Sequence, residues 1–461
     1  MAPPASDRLG EYRRKRSADR TPEPFGGEAS PTGGIFVVQK HAASRLHYDL
    51  RLEHDGVLMS WAVPQGPSLD PSVKRFAAHT EDHPIEYADF EGVIPRAEYG
   101  GGEMIVWDRG SVRFDEDPDA GLTAGKLLFT LSGYKLNGQW TLVRMKDPKE
   151  WLLIKKPDGW DRVDHDFDER SVYTGRTVEV LAEGPPPADR LVDRIEEGAV
   201  PGRIGVAAFS PMLAGTAEGP FTKPGWLFEI KYDGYRLLAE KDGRAVTLRY
   251  RSGLEATAVF PEITTALRRL PYDHLLVDGE VVVLRNDGTP SFERLQRRGR
   301  LSNRHDVLRA AAGFPATLFA FDLISAEGYD LRGMPLAERK EALRSVVPDI
   351  GPLRFADHVH ERGEAMFDQV VALGLEGIVA KDTTSTYVSG RSTAWLKVKA
   401  QHVGTFAIVG FTAPRGGRSG IGALHLAGFR SGELSYSGRV GSGLSDAVLS
   451  DLTAQLPAIV V

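Results

Sequence analysis

Two short segments carry residue types able to do chemistry. In Arg45–Glu53 (RLHYDLRLE), Leu46, Tyr48, Leu50 and Leu52 alternate with His47, Asp49, Arg51 and Glu53. A strand has a side-chain period of two, so one set lines a core and the other presents an imidazole, a carboxylate and a guanidinium in a row. His41 lies just upstream, and His83 and Tyr87 follow in EDHPIEY. Two imidazoles and a carboxylate suit a divalent transition metal such as Mn²⁺ or Zn²⁺. An arginine beside them offers bidentate recognition of phosphoryl oxygens. Together they predict metal-assisted phosphoester cleavage.

In the second segment, WLFEIKYDGYR, Lys231 ends an apolar run just before a glycine turn. Asp278-Gly279-Glu280, Glu376-Gly377 with Lys381, and the alternating pair Lys397 and Lys399 follow. A nucleophilic lysine must be neutral to attack, whereas its reference pKa is about 10.4. Burial, the charges of Lys397 and Lys399, or a bound metal would lower it. Carboxylates such as Glu280 and Glu376 suit Mg²⁺. This set describes phosphoryl rather than Schiff-base chemistry, and the absence of a Walker A motif excludes a P-loop enzyme.

The elements that must position these groups are legible in outline. The chain has 461 residues, 41% hydrophobic and 26% charged, which predicts about three globular domains. It contains 0 cysteines, excluding disulfides, zinc–thiolate sites and a thiol nucleophile. A net charge of −6 announces no strongly basic nucleic-acid binder. No apolar run is long enough to span a bilayer, and the N-terminus has no secretory h-region. The first thirty residues read as a flexible tail or a docking arm. Short strand-like runs from Gly33 to Leu153 predict a β-barrel or sandwich. A polar stretch with the GPPP run at Gly184–Pro187 reads as a linker. Mixed strand and helix patterns from Phe209 predict an α+β unit, with a hairpin at Lys241–Arg244. Short strands return after Gln401, where the glycines at Gly416–Gly422 read as a hairpin loop.

The first segment and its surroundings, FVVQKHAASRLHYDLRLEHDGVLMSWAVPQGPSLDPSVKR and EDHPIEYADFEGVIP, resemble the 3′-phosphoesterase domain of bacterial ligase D proteins. The resemblance implies metal ligation by His41, His47 and Asp49, and engagement of the scissile phosphate by His47, Arg51, His83 and Tyr87. The family's N-terminal KRDF-x-x-TPEP element is similar to Lys15–Pro24; Arg16 and Glu23 are present, but Ser17 replaces the usual aspartate. Gln65 stands where the family often has lysine, and Arg75 remains as a phosphate contact.

The second set resembles the covalent nucleotidyltransferases, in wording closest to the ligase domain of ligase D. Lys231–Gly234 fits motif I, Asp278–Glu280 motif III, Phe319–Asp322 the adjoining aromatic motif, Glu376–Lys381 motif IV and Lys397–Lys399 motif V. The resemblance implies that Lys231 is the AMP-lysine nucleophile. It implies ATP binding by Glu229, Asp233, Gly234, Arg236, Arg251, Glu280, Phe321, Lys397 and Lys399, with Phe321 stacking on adenine. Metal in the ligase half would sit on Glu280 and Glu376. FAIVGF and the strands after it resemble the start of the OB-fold that follows motif V. The basic motif VI does not occur before Val461, so the expectation is a truncated OB-fold, a missing polymerase domain and weak self-adenylation.

The expected architecture is an α+β multidomain protein. Its parts are an arm at 1–30, a β-barrel phosphoesterase domain at 31–156, a linker at 157–208, an α+β nucleotidyltransferase domain at 209–400 and a partial OB-fold β-barrel at 401–461. The expected function is DNA end processing and joining in non-homologous end joining, by a 3′-phosphoesterase and an ATP-dependent DNA ligase. The alternative is a phosphoesterase whose ligase core only binds DNA. Implied cofactors are ATP, Mg²⁺ or Mn²⁺ for the ligase, and Mn²⁺ or another divalent metal for the phosphoesterase. Implied partners are nicked or broken DNA and a Ku-like end-binding protein, with no membrane, in the bacterial cytoplasm at the nucleoid.

Overall fold

Ten strands form between Ile35 and Lys155: β1 (Ile35–Ala42), β2 (Leu46–His54), β3 (Val57–Val63), β4 (Lys74–His79), β5 (His83–Pro84), β6 (Gly92–Ile94), β7 (Gly102–Phe114), β8 (Lys126–Gly133), β9 (Asn137–Arg144) and β10 (Glu150–Lys155). Eight of them close an antiparallel barrel in the order β1-β2-β3-β4-β10-β9-β8-β7, with β7 returning to β1. β5 hangs on β3 and β6 on β7. Closure pairs the backbone groups that a sandwich would leave at its edges. The tight β2–β3 hairpin turns on Asp55-Gly56, with φ of 50° and 77°, the conformation an Asp-Gly pair favours. Phe36, Val38, Leu50, Leu52, Trp61, Trp107, Trp140 and Trp151 fill the interior. The polar face of β2 is therefore turned outward.

The structure is a computed structural model describing residues 8–26, 34–183, 188–208, 210–400, 404–413, 420–430, 433–441 and 443–456. The Gly184–Pro187 run, Phe209, most of the Gly416–Gly422 stretch and both ends of the arm lie outside the described residues. The chain divides into two compact units, 1–400 and 401–461.

Beyond the barrel, the first unit holds two sheets. One runs β11 (Val200–Pro201), β18 (Tyr329–Asp330), β17 (Ala316–Ala326), β16 (His274–Val283), β14 (Tyr235–Asp242) and β15 (Ala245–Tyr250), with β19 (Leu353–Phe355) parallel to β17. The other runs β12 (Met212–Thr216), β22 (Gly390–Lys399), β21 (Gly377–Asp382), β13 (Trp226–Ile230) and β20 (His358–His360). The Lys241–Arg244 hairpin joins β14 to β15, pairing Asp242 with Ala245. The helical patterns of this unit form Pro261–Arg269, Phe292–Gly299, Leu336–Val346 and Gly363–Ala372. A further helix, Arg304–Gly313, is capped by Asn303, whose side chain accepts from the His305 and Asp306 amides.

Where it is described, the 157–208 stretch is a packed wedge rather than a bare tether. Val172, Tyr173, Leu191 and Ile195 are buried. They belong to one apolar cluster with Tyr87 and Val106 of the barrel region and Leu237 and Leu275 of the long sheet. The Val172 amide donates to the Val106 carbonyl at 2.9 Å, and the Ser171 hydroxyl donates to Glu91 at 2.5 Å. On the other side, Gly351 has a φ of +67°, and a Cβ there would stand 2.0 Å from the Val172 carbonyl oxygen. A few apolar residues at the right places anchor a segment whose average composition is polar.

The second unit carries a three-stranded antiparallel sheet, β23 (Ala407–Thr412), β24 (Ala423–Arg430) and β25 (Glu433–Val440), and a helix, Asp446–Gln455, capped by Ser445. The three strands answer to the short strands expected after Gln401. Among the described residues no helix is long and apolar enough to cross a membrane.

Gly351→Ala combines an unfavourable φ with a backbone clash, so it is expected to cost about 2 kcal/mol or more of stability. Urea denaturation measures this, and a wild-type midpoint would show that the wedge is not held against Gly351.

Candidate active sites

The first site is built on three neighbouring strands. In the β1–β2 pairing His41 lies directly opposite His47, and Gln39 opposite Asp49; in the β2–β3 pairing Arg51 lies opposite Ser60. Directly opposed side chains share a face and stand about 5 Å apart at Cβ, so the hairpin register alone gathers the imidazoles and the carboxylate. Ligand atoms of His41, His47 and Asp49 lie within 4.8 Å of one another. His41 Nε2 is buried with no hydrogen-bond partner among the described residues. Such an orphan is costly unless a ligand satisfies it, and the donor set suits a divalent metal. Burial opposes the charge on Asp49, but Arg51, His41 and His47 hold its carboxyl well below the usual range.

A cavity of about 250 Å³ opens beside these groups, lined also by Arg51, His83, Tyr87 and Arg16. Arg51 is held from three sides: its Nε donates to Gln39 Oε1 at 2.7 Å and its Nη1 to Ser60 Oγ at 2.9 Å, while Nη2 meets Asp49 at 3.1 Å. Gln39 in turn donates to the Tyr87 and Phe90 carbonyls, fixing the 85–90 turn. Burial, then Arg51 and Arg16, hold His83 well below its ordinary value, so it is neutral. Burial and Glu23 raise Tyr87, whose hydroxyl donates to Glu23 at 2.8 Å. The arm docks here. Tyr12 is fully buried, and Arg16 bridges Glu23 at 2.8 Å and Glu81 at 3.1 Å. Gln65 and Arg75 hydrogen-bond to each other at an exposed place and do not line the cavity.

The second site surrounds Lys231, at the end of β13. Its backbone amide donates to the Gly377 carbonyl, and its Nζ is ion-paired to Glu376. Two cavities meet at Lys231. The smaller, about 130 Å³, is lined by Glu229, Tyr232, Phe321, Lys381 and Trp395; the larger, about 780 Å³, by Gly234, Arg251, Arg391, Lys397 and Lys399. Arg236 and Glu280 line both. Gly234 is required: a Cβ there would stand 2.3 Å from the Val281 carbonyl. Arg236 forms a fork with the buried Asp278 at 2.9 and 2.6 Å, and the Tyr387 hydroxyl donates to the same carboxylate at 2.5 Å. Phe321 meets Trp395 edge-on at 5.9 Å, and the Lys381 ammonium lies 4.3 Å from its ring centre. Burial pushes Glu280 up to about 7 against the pull of Arg236 and Lys231. Lys399 reaches Glu376 at 3.7 Å. Asp233 is the outlier: it is exposed and lines neither cavity.

Residues 39–144 match the model of the DNA ligase D 3′-phosphoesterase domain, and residues 211–399 that of the ATP-dependent DNA ligase domain. The chain is 41% identical over 476 residues to the multifunctional non-homologous end joining protein LigD of Pseudomonas aeruginosa, covering 99% of this chain and 55% of that protein. The chain belongs to the DNA ligase D family. The multifunctional non-homologous end joining DNA repair protein LigD of Mycobacterium tuberculosis is 36% identical over 462 residues, with 98% and 53% covered. This chain thus spans about half the length of the curated relatives it matches. Among solved structures, a mycobacterial DNA ligase D complexed with ATP and MES is 32% identical, with 55% of this chain and 79% of that one covered and a TM-score of 0.40.

The catalytic, ATP-binding and metal residues expected from the ligase D resemblance line one of the three cavities, except Asp233 and Glu376; Glu376 stands beside them through its ion pair with Lys231, and Arg75 lies away from them. Sequence reasoning missed the residues that hold these groups still. Gln39 and Ser60 fix Arg51, Tyr387 caps Asp278, and Lys340 on helix Leu336–Val346 pairs with Glu229. Gln39 alone had a usable signal, since it shares the strand face of His41.

Gln39→Ala frees the Arg51 guanidinium and is expected to lower 3′-phosphoesterase turnover by about tenfold or more, the scale of a lost positioning contact. Activity within twofold of wild type would show that Ser60 and Asp49 suffice. For Glu280 the folded-state value lies above the ordinary one, so its stabilising contribution is complete below about pH 4.5 and is lost as pH rises through about 7. In EDTA-treated protein, Glu280→Gln is expected to flatten the fall in Tm between about pH 4.5 and 7; an unchanged slope would contradict the shift.

Proposed function

We propose that the chain processes and joins DNA ends, as a metal-dependent 3′-phosphoesterase coupled to an ATP-dependent DNA ligase working through a lysyl-AMP intermediate. The observation that carries this reading is the position of Lys231. It stands where a small pocket walled by Phe321 and Trp395 meets a larger cleft carrying Arg251, Lys397 and Lys399. Adenylyl transfer needs that junction: an aromatic slot for a base, a nucleophile at its mouth, and cations beyond it for the phosphates.

The chemistry follows from the side chains. Lys231 Nζ must shed a proton before attack, and Glu376 is the carboxylate in contact with it. Neutral Nζ then attacks the α-phosphorus in line, a P–N bond forms, the bond to pyrophosphate breaks, and pyrophosphate leaves with its electron pair. Lys397 and Lys399 neutralise the phosphoryl oxygens as charge develops. Glu280 and Glu376 offer hard oxygen donors to Mg²⁺ or Mn²⁺, which when bound would supply further charge neutralisation. The AMP then passes to the 5′-phosphate of a nick, and a 3′-OH displaces it. In the barrel, His41, His47 and Asp49 would hold Mn²⁺ or another divalent metal, which when bound would supply charge to polarise the phosphoryl group. Arg51 orients that group, and neutral His83 and Tyr87 stand as proton carriers. Trimming a blocked 3′ end yields the hydroxyl that sealing consumes.

We assign residues 31–156 to the phosphoesterase, 209–400 to nucleotidyl transfer and 401–461 to part of an OB-fold. The setting is double-strand break repair by non-homologous end joining at the bacterial nucleoid, with a Ku-like end-binding partner. The relatives' names, which carry non-homologous end joining, support this setting.

Incubation with α-labelled ATP and Mg²⁺ is expected to label the wild-type chain, and Lys231→Ala is expected to lose the label while still removing a 3′-phosphate. His41→Ala and Asp49→Ala are expected to do the converse. Failure of the wild type to label, with retained nick binding, would reduce the ligase half to a DNA-binding module.

A further inference from the structure

Glu229 lies on β13 two residues before Lys231, so both side chains leave the strand on the same face. Its carboxylate is almost fully buried and lines the small cavity. Two ammonium groups hold it, one on each oxygen. Lys381 of β21 meets Oε2 at 2.7 Å, and Lys340 meets Oε1 at 2.5 Å. Both lysines are buried to within 2% of full. One lysine would neutralise one carboxylate; the second adds a buried positive charge, which a fold does not keep cheaply.

Lys340 comes from a different element than the cavity walls. It lies on the helix Leu336–Val346, 111 residues from Glu229 in sequence. Its Nζ also donates to the Ala356 carbonyl at 3.1 Å and lies 4.4 Å from the Phe355 ring centre. Arg344, one turn on, packs 4.1 Å from the centre of the same ring. Ala356 is itself a wall of the small cavity. One ammonium therefore ties two walls of the pocket together: the Glu229 carboxylate and the Ala356 backbone.

We propose that Lys340 is a positioning residue for nucleotide selection, holding the Glu229 carboxylate and the Ala356 strand so that the pocket presents a fixed acceptor to the exocyclic amine of adenine. The proposal rests on the adenylyl-transfer reading of this site. A fixed carboxylate accepts from the amino group at position 6 of adenine. It meets the carbonyl oxygen that guanine carries there with two acceptors facing each other and no proton between them. A Glu229 free to turn toward Lys381 alone would lose that discrimination. Burial brings Lys381 down to about 8, with Lys340 adding to the effect.

The test is equilibrium binding of ATP and GTP, by calorimetry, to the full chain and to Lys340→Met, Lys340→Arg, Glu229→Gln and Glu229→Gln with Lys340→Met. The 3′-phosphoesterase activity and Tm of each variant monitor folding. Lys340→Met is expected to weaken ATP about tenfold, leave GTP within twofold and keep the phosphoesterase activity. Lys340→Arg is expected to recover most of the ATP affinity. In the Glu229→Gln background, Lys340→Met is expected to change ATP affinity less than twofold, because the residue acts through Glu229. Equal losses in both backgrounds would overturn the proposal, as would ATP binding by Lys340→Met within twofold of wild type. If Lys340→Met does not fold, Lys340→Gln carries the decision: a lost ATP-over-GTP preference in the folded protein supports the clamp, and an unchanged preference overturns it. A wild-type chain that binds no ATP would instead sink the underlying reading of the site.

Discussion

A charge taken out of water must be answered by another charge or a full set of hydrogen bonds, and both sites are built on that constraint. Arg51, Asp49, Glu23 and Arg16 are all largely buried, and each is paired. So are Glu229, Lys340 and Lys381, and so are Asp278 and Arg236. The pairing fixes side chains that would wander on a surface, and catalysis by positioning needs them fixed. What the networks leave unsatisfied is then informative. At the barrel site, among the described residues, His41 Nε2 is left without a hydrogen-bond partner. In the second site, burial pushes Glu280 up to about 7 against the pull of Arg236 and Lys231.

The barrel explains why the first site lies where it does. Its interior is occupied by tryptophans and leucines, so there is no room for a substrate inside. The chemistry moves to the outer wall, where a second layer is needed to bury it. The arm supplies that layer through Tyr12 and Arg16, and the 85–90 turn through Tyr87. The same outer wall continues into the wedge at Val172 and Tyr173 and on to the long sheet, so one apolar cluster links them, separate from the barrel interior.

How much of this was legible in sequence follows from the distance over which each contact acts. The alternation of β2 was legible because period two is local, and it named His47, Asp49 and Arg51 directly. The barrel could not be told from a sandwich, because closure depends on β7 returning to β1, a pairing between segments some sixty residues apart. The wedge was hidden by averaging: a few scattered buried apolar residues do not change the character of a long polar stretch. Asp233 shows the reverse limit, since a motif fixes a residue's identity without fixing where its side chain points.

The residues that escaped entirely share one property. Ser60 faces Arg51, Tyr387 faces Asp278 and Lys340 faces Glu229, and the last two pairs span 109 and 111 residues. A serine on a strand, a tyrosine in a loop and a lysine on a helix are each ordinary by local pattern. Lys340 even sits in a run, ERKEAL, that reads as a solvated helix face. Its burial follows from the carboxylate opposite, and that carboxylate is buried because β13 is an inner strand, between β20 and β21. The strand order of the sheet thus decides the environment of a helix residue far away in sequence. The groups that perform the chemistry are written as local motifs, while the groups that hold them in register are written only in the topology.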